Sequence, residues 1–338
     1  MNERFFRLLP AGGCGTEAVL KIFALVAAGV ALMSWGSPGI ALAGGILFAA
    51  AFQPPAPRGT SRLTRYLLQG CVVLLGFGMD LPTVLRLGMN GAVFAAATIA
   101  VTLLAGRWLG KRLRLPAGTA VLISAGTAIC GGSAIAALSS VIAATEAEIA
   151  VSIGTVFLLN AVALYLFPAV GHCLHLTQAQ FGLWAGVGIH DISSVVGAGL
   201  SYGHEALNAA TAIKLSRTLW IVPLTLIYAA GFKPSGRADG AATHATERPA
   251  KIAVPWFIIL FLLASLVRSW LPVDPHWFHA AAGIARHGMI LVLFLVGTSL
   301  SLPALRVVGW RTVAVGLALW FLISAGSLSA ILLLKLAS

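Results

Sequence analysis

Gly126-Thr127-Ala128-Ile129-Cys130-Gly131-Gly132-Ser133 interrupts an apolar stretch at what should be membrane depth. A second run, Gly188-Ile189-His190-Asp191-Ile192-Ser193-Ser194-Val195-Val196-Gly197, interrupts another. A lipid-facing helix cannot carry such a run, because each unpaired N–H or C=O in hydrocarbon costs several kcal/mol. Broken backbone survives there only when buried in protein or lining a cavity. A pair of such breaks points to the binding site of a secondary transporter.

The rest of the chain supports a membrane setting. Its 338 residues are 59% hydrophobic and 9% charged, with mean hydropathy +0.95. Soluble domains run near 25% charged. Apolar segments fall at about 18–34, 38–52, 66–81, 91–110, 118–141, 149–170, 178–200, 208–231, 252–271, 285–302 and 312–335. Most are of the length that crosses a core of ~30 Å. The sequence therefore predicts an all-α polytopic membrane protein, one integral domain over 1–338 with a flexible hydrophilic loop at 232–251.

The net charge of +12 invites a nucleic-acid reading, but the basic residues lie in short loops between apolar segments. That pattern sets membrane topology, and nucleic acid is not an expected partner. Loops with Arg58, Arg62 and Arg65, with Arg107, Lys111, Arg112 and Arg114, with Lys233, Arg237, Arg248 and Lys251, and with Arg306 and Arg311 should be cytoplasmic. Arg4 and Arg7 speak against that orientation. The same two arginines, the apolar run from Ile22 to Met33 and Ala41-Leu42-Ala43 have the outline of a signal peptide. Hydrophobicity continues past them, so an uncleaved first span is expected. The four cysteines are scattered without CxxC spacing, so neither a disulfide framework nor a metal or other cofactor is expected.

Internal repeats refine the count. A shift of 221 residues lays 65–88 on 286–309, pairing Gly76 with Gly297 and Leu81-Pro82 with Leu302-Pro303. A shift of 60 lays 118–171 on 178–231, pairing Ile129 with Ile189 and Ser133 with Ser193. Under the charge rule the first pair runs oppositely, as an inverted repeat requires. The broken pair becomes antiparallel only if each break is a re-entrant hairpin. Nine crossings with two re-entrant segments are preferred, and eleven crossings stay open.

Candidate chemistry gathers at the breaks. Gly131 and Gly132 permit unusual backbone angles, and Thr127 and Ser133 add hydroxyls. Amides freed at a half-helix N-terminus attract anions; close packing of small residues is the plainer alternative. His190 and Asp191 place ionisable groups in an apolar segment, which is costly and marks function, here a coupling H⁺ or Na⁺. Asp191 could equally cap the half-helix that follows. Ser193 and Ser194 could hold a ligand. Lys214 and Arg217, three residues apart, share a helix face and either neutralise a bound anion, pair with Asp191, or snorkel to the headgroups. Asn160 lies mid-span, where it could bond the breaks or another helix. Cys130 reads as a small packing residue. Asp80, Leu81 and Pro82 read as a turn ending one span, and Glu146 and Glu148 as a solvated acidic loop. Trp35, Trp108, Trp270 and Trp310 fall near span ends, as interfacial anchors do. No GxxxxGK[ST] loop is present, which disfavours a primary pump.

These motifs resemble the YeiH-type family of bacterial inner-membrane proteins, described as sulfate exporters. Gly126-Thr127-Ala128-Ile129-Cys130-Gly131-Gly132-Ser133-Ala134-Ile135-Ala136-Ala137 is similar to its G-T-x-I-C-G-x-S-A-I-A-A signature. Gly182-Leu183-Trp184-Ala185-Gly186 with Ile189-His190-Asp191 resembles its second motif, and Lys214-Leu215-Ser216-Arg217 its K-L-[ST]-R stretch. The likeness spans nearly the whole chain. It implies the cation:proton antiporter and anion transporter group, with inverted repeats, helices interrupted at the midplane, and a core moving against a scaffold. The resulting expectation is a multi-pass inner-membrane exporter of a small anion such as sulfate, coupled to H⁺ or Na⁺. Membrane lipid surrounds it, and pairing with a second copy is open. A passive channel is the alternative. An intramembrane enzyme using Ser193 or Cys130 with His190 is the remoter one, and no catalytic residue is assigned.

Overall fold

Residues 37–52, 60–231, 256–271, 274–299 and 309–334 are described by a computed structural model. The first apolar segment, 18–34, and the 232–251 loop lie outside the described residues.

Helix follows helix through the described chain: α1 (Pro38–Phe52), α2 (Thr60–Gly76), α3 (Leu81–Arg112), α4 (Ala117–Ala128), α5 (Gly132–Val141), α6 (Glu146–Cys173), α7 (Gln178–Gly188), α8 (Ile192–Tyr202), α9 (His204–Thr218), α10 (Ile221–Gly231), α11 (Trp256–Trp270), α12 (Pro275–Ser299) and α13 (Trp310–Leu333). No strand occurs among the described residues. Among the described residues, five stretches are long and apolar enough to span a bilayer: α3, α6, α9 with α10, α12 and α13. The chain is an all-α polytopic membrane protein.

Local chemistry sets several boundaries that hydropathy misplaces. Pro82 does not end a span; it sits in the first turn of α3, where its missing N–H costs nothing. Asp80 caps that turn, accepting from Thr83 N at 3.0 Å, so α3 begins nearly three turns before its apolar stretch. Glu146 and Glu148 likewise open α6 and do not form a loop. Thr145 and Glu148 make a reciprocal capping box there, and Thr177 with Gln180 repeats it at α7.

Neither broken segment crosses the membrane. A Cβ on Gly118, at the start of α4, would collide with the carboxylate of Glu148, at the start of α6. The segment α4–α5 therefore enters and leaves by the same face, the one carrying Lys111 and Arg112 at the end of α3. Its turn lies beside Val156, since Cβ atoms on Gly126 and Gly131 would sit 3.3 Å and 3.2 Å from that side chain. Val156 is ten residues along α6, or about 15 Å at helical rise, half the thickness of a hydrocarbon core. The second segment enters from the opposite face, where α6 ends. Gln178 Oε1, at the start of α7, accepts from Glu205 N at 3.0 Å and Ala206 N at 3.3 Å at the start of α9. Two re-entrant hairpins thus meet tip to tip near the midplane: a Cβ on Gly131 would lie 3.6 Å from Asp191 Cβ.

Packing repeats the two-fold relation read from the shifts. α4 lies on α3 and α6; α7 lies on α13 and α9. α3 packs on α9 as α13 packs on α6. The shift of 221 residues also carries 89–112 onto 310–333, laying the later part of α3 on the whole of α13. Outside this core stand α1, α2, α11 and α12. There α1 pairs with α12 and α2 with α11, and α2 and α12 join the pairs. Gly45 and Gly297 let α1 and α12 approach so closely that a Cβ on Gly45 would lie 2.9 Å from Gly297 Cα. Gly76, which the shift equates with Gly297, plays the same part between α2 and α11, where its Cβ would meet Ala264 Cβ at 2.9 Å. Small residues of this kind hold membrane helices together. Trp108, Trp270 and Trp310 are exposed near helix ends, as interfacial anchors are.

Candidate functional site

The tip of the first hairpin is a backbone device. Gly131 adopts φ 64° and ψ −124°, a conformation that only glycine enters without strain. It turns the chain from the carbonyl end of α4 to the amide end of α5. No side chain of the capping residue accepts there. Two opposite partial charges, each about half an elementary charge, so meet at one tip.

Arg217 separates them. It is wholly buried, and its Nε donates to Ala128 O, the last carbonyl of α4, at 2.6 Å. Its Nη1 donates to Thr98 Oγ1 on α3 at 2.9 Å. A cation on the carbonyl end cancels the negative pole and leaves the positive pole of α5 standing.

The second hairpin has the same outline with different chemistry. Lys214, also wholly buried, reaches the carbonyl end of α7, donating to Gly186 O at 3.4 Å and to Ile189 O. Trp320 Nε1 adds a bond to Gly188 O at 3.1 Å. The amide end of α8 is not open. Asp191 Oδ2 accepts from Ser193 N at 3.1 Å, from Ser194 N at 3.3 Å and from Ser193 Oγ. Here the local charge is one cation against one carboxylate.

A cavity of about 650 Å³ ends at the two amide poles. Gly132, Ser133, Asp191, Ser193, Ser194, Asn160 and Cys130 line its inner end, and Arg65, Ser140, Val141 and Trp256 its outer end. Arg65 stands near the start of α2 and Trp256 at the start of α11. The far ends of those helices meet the beginning of α3, where Leu81 N donates to Ser269 Oγ at 2.7 Å. The cavity therefore opens toward the arginine-rich face. On the other side α8 is wedged shut: a Cβ on Gly197 would lie 2.8 Å from both Leu164 Cδ1 and Leu293 Cδ1.

The sequence-expected residues divide accordingly. Gly132, Ser133, Ser193, Ser194, Asp191 and Asn160 come together on the cavity. Gly131 shapes the tip beside them, next to Asp191. Lys214 and Arg217 do not line the cavity; they face backbone carbonyls, and their full burial excludes snorkelling. Thr127 and His190 are wholly buried, and neither lines the cavity. Thr127 Oγ1, both His190 ring nitrogens, Asp191 Oδ1 and Asn160 Nδ2 have no hydrogen-bond partner among the described residues. Asn160 Oδ1 accepts from His190 N at 3.0 Å, tying α6 to the second tip.

Several cavity residues were missed or read differently in the sequence. Cys130 lines the inner end and does not merely pack. Gln69 of α2 is buried, with Oε1 unpartnered; as a lone amide in an apolar segment, it carried a signal that intramembrane polarity makes readable. Thr218, one residue beyond Arg217, also lines the wall. No sequence signal distinguished it.

Comparison with other proteins agrees with a membrane setting. Residues 15–316 match the family described as Conserved hypothetical protein 698. A UPF0324 membrane protein of Porphyromonas gingivalis is 46% identical over 304 residues, covering 89% of this chain and 88% of its own. One of Bacteroides thetaiotaomicron is 43% identical over 298 residues, covering 88% and 86%. One of Bdellovibrio bacteriovorus is 40% identical over 315 residues, covering 93% and 95%. No solved structure matches. The chain belongs to the Conserved hypothetical protein 698 family of UPF0324 membrane proteins.

Proposed function

We propose that this UPF0324 family member is a secondary transporter that exports a small anion, coupled to H⁺ or Na⁺, across the bacterial inner membrane. One observation carries the reading: the amide end of α5 lies uncapped at the blind end of a cavity, with Arg217 on the opposing carbonyl pole. Such an end binds anions without a dedicated basic side chain. Ser133 beside it supplies a hydroxyl donor.

Asp191 is the coupling candidate. Its Oδ2 is committed to α8, while Oδ1 lacks a partner at the cavity wall. Uptake of a proton or sodium ion there removes a negative charge beside the anion and favours its binding, so the two leave together and export runs down the anion's own outward gradient. Asn160 orients the backbone next to it, and the unpartnered ring of His190 is a second carrier candidate. Sulfate is the anion to which the YeiH-type resemblance points.

A cavity open to one face and sealed by α8 on the other suits alternating access around a fixed site. His190 makes no ring hydrogen bond to Ser193 or Cys130, which weighs against a nucleophilic enzyme. The test is flux of labelled sulfate, sulfonates and carboxylates in proteoliposomes, with and without pH and sodium gradients. Uptake or efflux driven by one of those gradients supports the proposal. No flux for any anion overturns it, and rates far above transporter turnover with an insensitive Asp191→Asn variant favour a channel.

A further inference from the structure

The inner end of the cavity and its walls ask for different chemistry from a ligand. Among the described residues, Arg65 is the only basic side chain lining the cavity, and it stands exposed at the outer end. The two cations at midplane depth, Lys214 and Arg217, do not line the cavity; each donates to a carbonyl behind its hairpin tip. Arg217 Nη2, their one nitrogen without a partner among the described residues, is buried away from the cavity. What remains for a charged group is one amide pole and a few hydroxyls, next to the carboxylate of Asp191. A doubly charged, fully hydrated oxyanion would shed its water for too little compensation. A singly charged head fits that end.

The walls are apolar. Phe157, Leu68, Phe257 and Val296 face the same space as Ala136 and Ala137. A volume of about 650 Å³ is in the range of pockets that enclose whole organic molecules, which are mostly apolar with a few placed polar groups. Ala136 and Ala137 leave room directly outward of Ser133, so an apolar body extending from a head at α5 would run along them.

Resting on the transport reading above, we infer that the substrate is an organic monoanion: a sulfonate or carboxylate head at the α5 amides, with an apolar body against Phe157, Phe257 and Val296. Inorganic sulfate lacks the second half of that match.

The test uses the purified full chain in a non-ionic detergent. Binding of potassium sulfate, methanesulfonate, hexanesulfonate and hexanoate is read as quenching of intrinsic tryptophan fluorescence, with hexanol as the uncharged control. Affinity is expected to rise from methanesulfonate to hexanesulfonate by on the order of tenfold or more, since a buried methylene gives roughly a fourfold gain at best. Hexanol should not saturate. An Ala137→Phe variant fills the proposed path of the tail and should erase the difference between the two sulfonates. Sulfate binding as well as hexanesulfonate, or a tail-length gain that survives Ala137→Phe, overturns the inference while leaving the transporter intact. Absence of binding by every anion, with no flux in proteoliposomes, overturns the transport reading itself.

Discussion

The two hairpins share a fold and differ in what they leave exposed. Each enters from its own face, turns near the midplane, and has its carbonyl end met by a cation from α9, Arg217 for the first and Lys214 for the second. Beyond that point they part. The first turns on a glycine at φ 64° and leaves the amides of α5 open to the cavity. The second turns through Ile189, at φ −88° and ψ 134°, an extended conformation open to any residue, and covers the amides of α8 with its own Asp191. Duplicated geometry thus carries unlike chemistry: one tip is a positive pole without a side-chain cap and the other a pole already met by a titratable group. An anion and its coupling ion are opposite in charge, and two like tips could not serve both.

The difference can be tested by substitution at each tip. Arg217→Met should have the largest effect. It strips two buried charge-assisted bonds, each worth about 1.5–3 kcal/mol, and should lower the thermal midpoint in detergent by more than any other change named here. If Lys214→Met costs as much and abolishes anion binding equally, the tips are equivalent and the distinction falls. Next comes Gly131→Val. Forcing a β-branched residue into that conformation costs about 1–3 kcal/mol, and its Cβ also meets Val156 at 3.2 Å. Ile189→Val, at the matching place in the second hairpin, should cost about 1 kcal/mol, as loss of one methylene does.

Asp191→Asn should sharpen the contrast further. Asparagine caps helices about as well as aspartate, so stability should change by less than about 1 kcal/mol while flux loses its dependence on the driving gradient. Retained gradient dependence would move the coupling role to His190. The smallest effect belongs to Ser133→Ala. Loss of one hydrogen bond should weaken anion binding by roughly three- to tenfold. Ser193→Ala should change it less, because that hydroxyl is already given to Asp191. Equal losses at both serines would mean that the anion spans both tips.

How much of this was readable beforehand depends on distance along the chain. The breaks announce themselves in consecutive residues, Gly131-Gly132-Ser133 and His190-Asp191-Ile192-Ser193. The register of 60 residues between them fits an inverted repeat only if each break is a hairpin, which favoured nine crossings but left eleven open, since both counts put the basic loops on one side. Pro82 was misjudged because hydropathy cannot tell the last turn of a helix from the first; the acceptor at Asp80 makes that distinction. Lys214 and Arg217 were recognised as sharing a face, but not what the face meets. Their acceptors, Gly186 O and Ala128 O, lie 28 and 89 residues away, and backbone carbonyls leave no trace in side-chain identity. The apolar walls were invisible for a related reason, since Phe157 and Phe257 look like any lipid-facing aromatic until the helices that carry them are brought together.

Lys214 and Arg217 stand one turn apart on α9, and each is fastened to a different hairpin. That helix is a keel. Neither tip can slide on it without tearing a charged group from its carbonyl in a medium that offers no replacement. Both hairpins and α9 must then travel together, as one piece. If the proposed alternating access holds, the seam that must part lies against the outer helices, where Gly197 of α8 lets Leu293 of α12 come close.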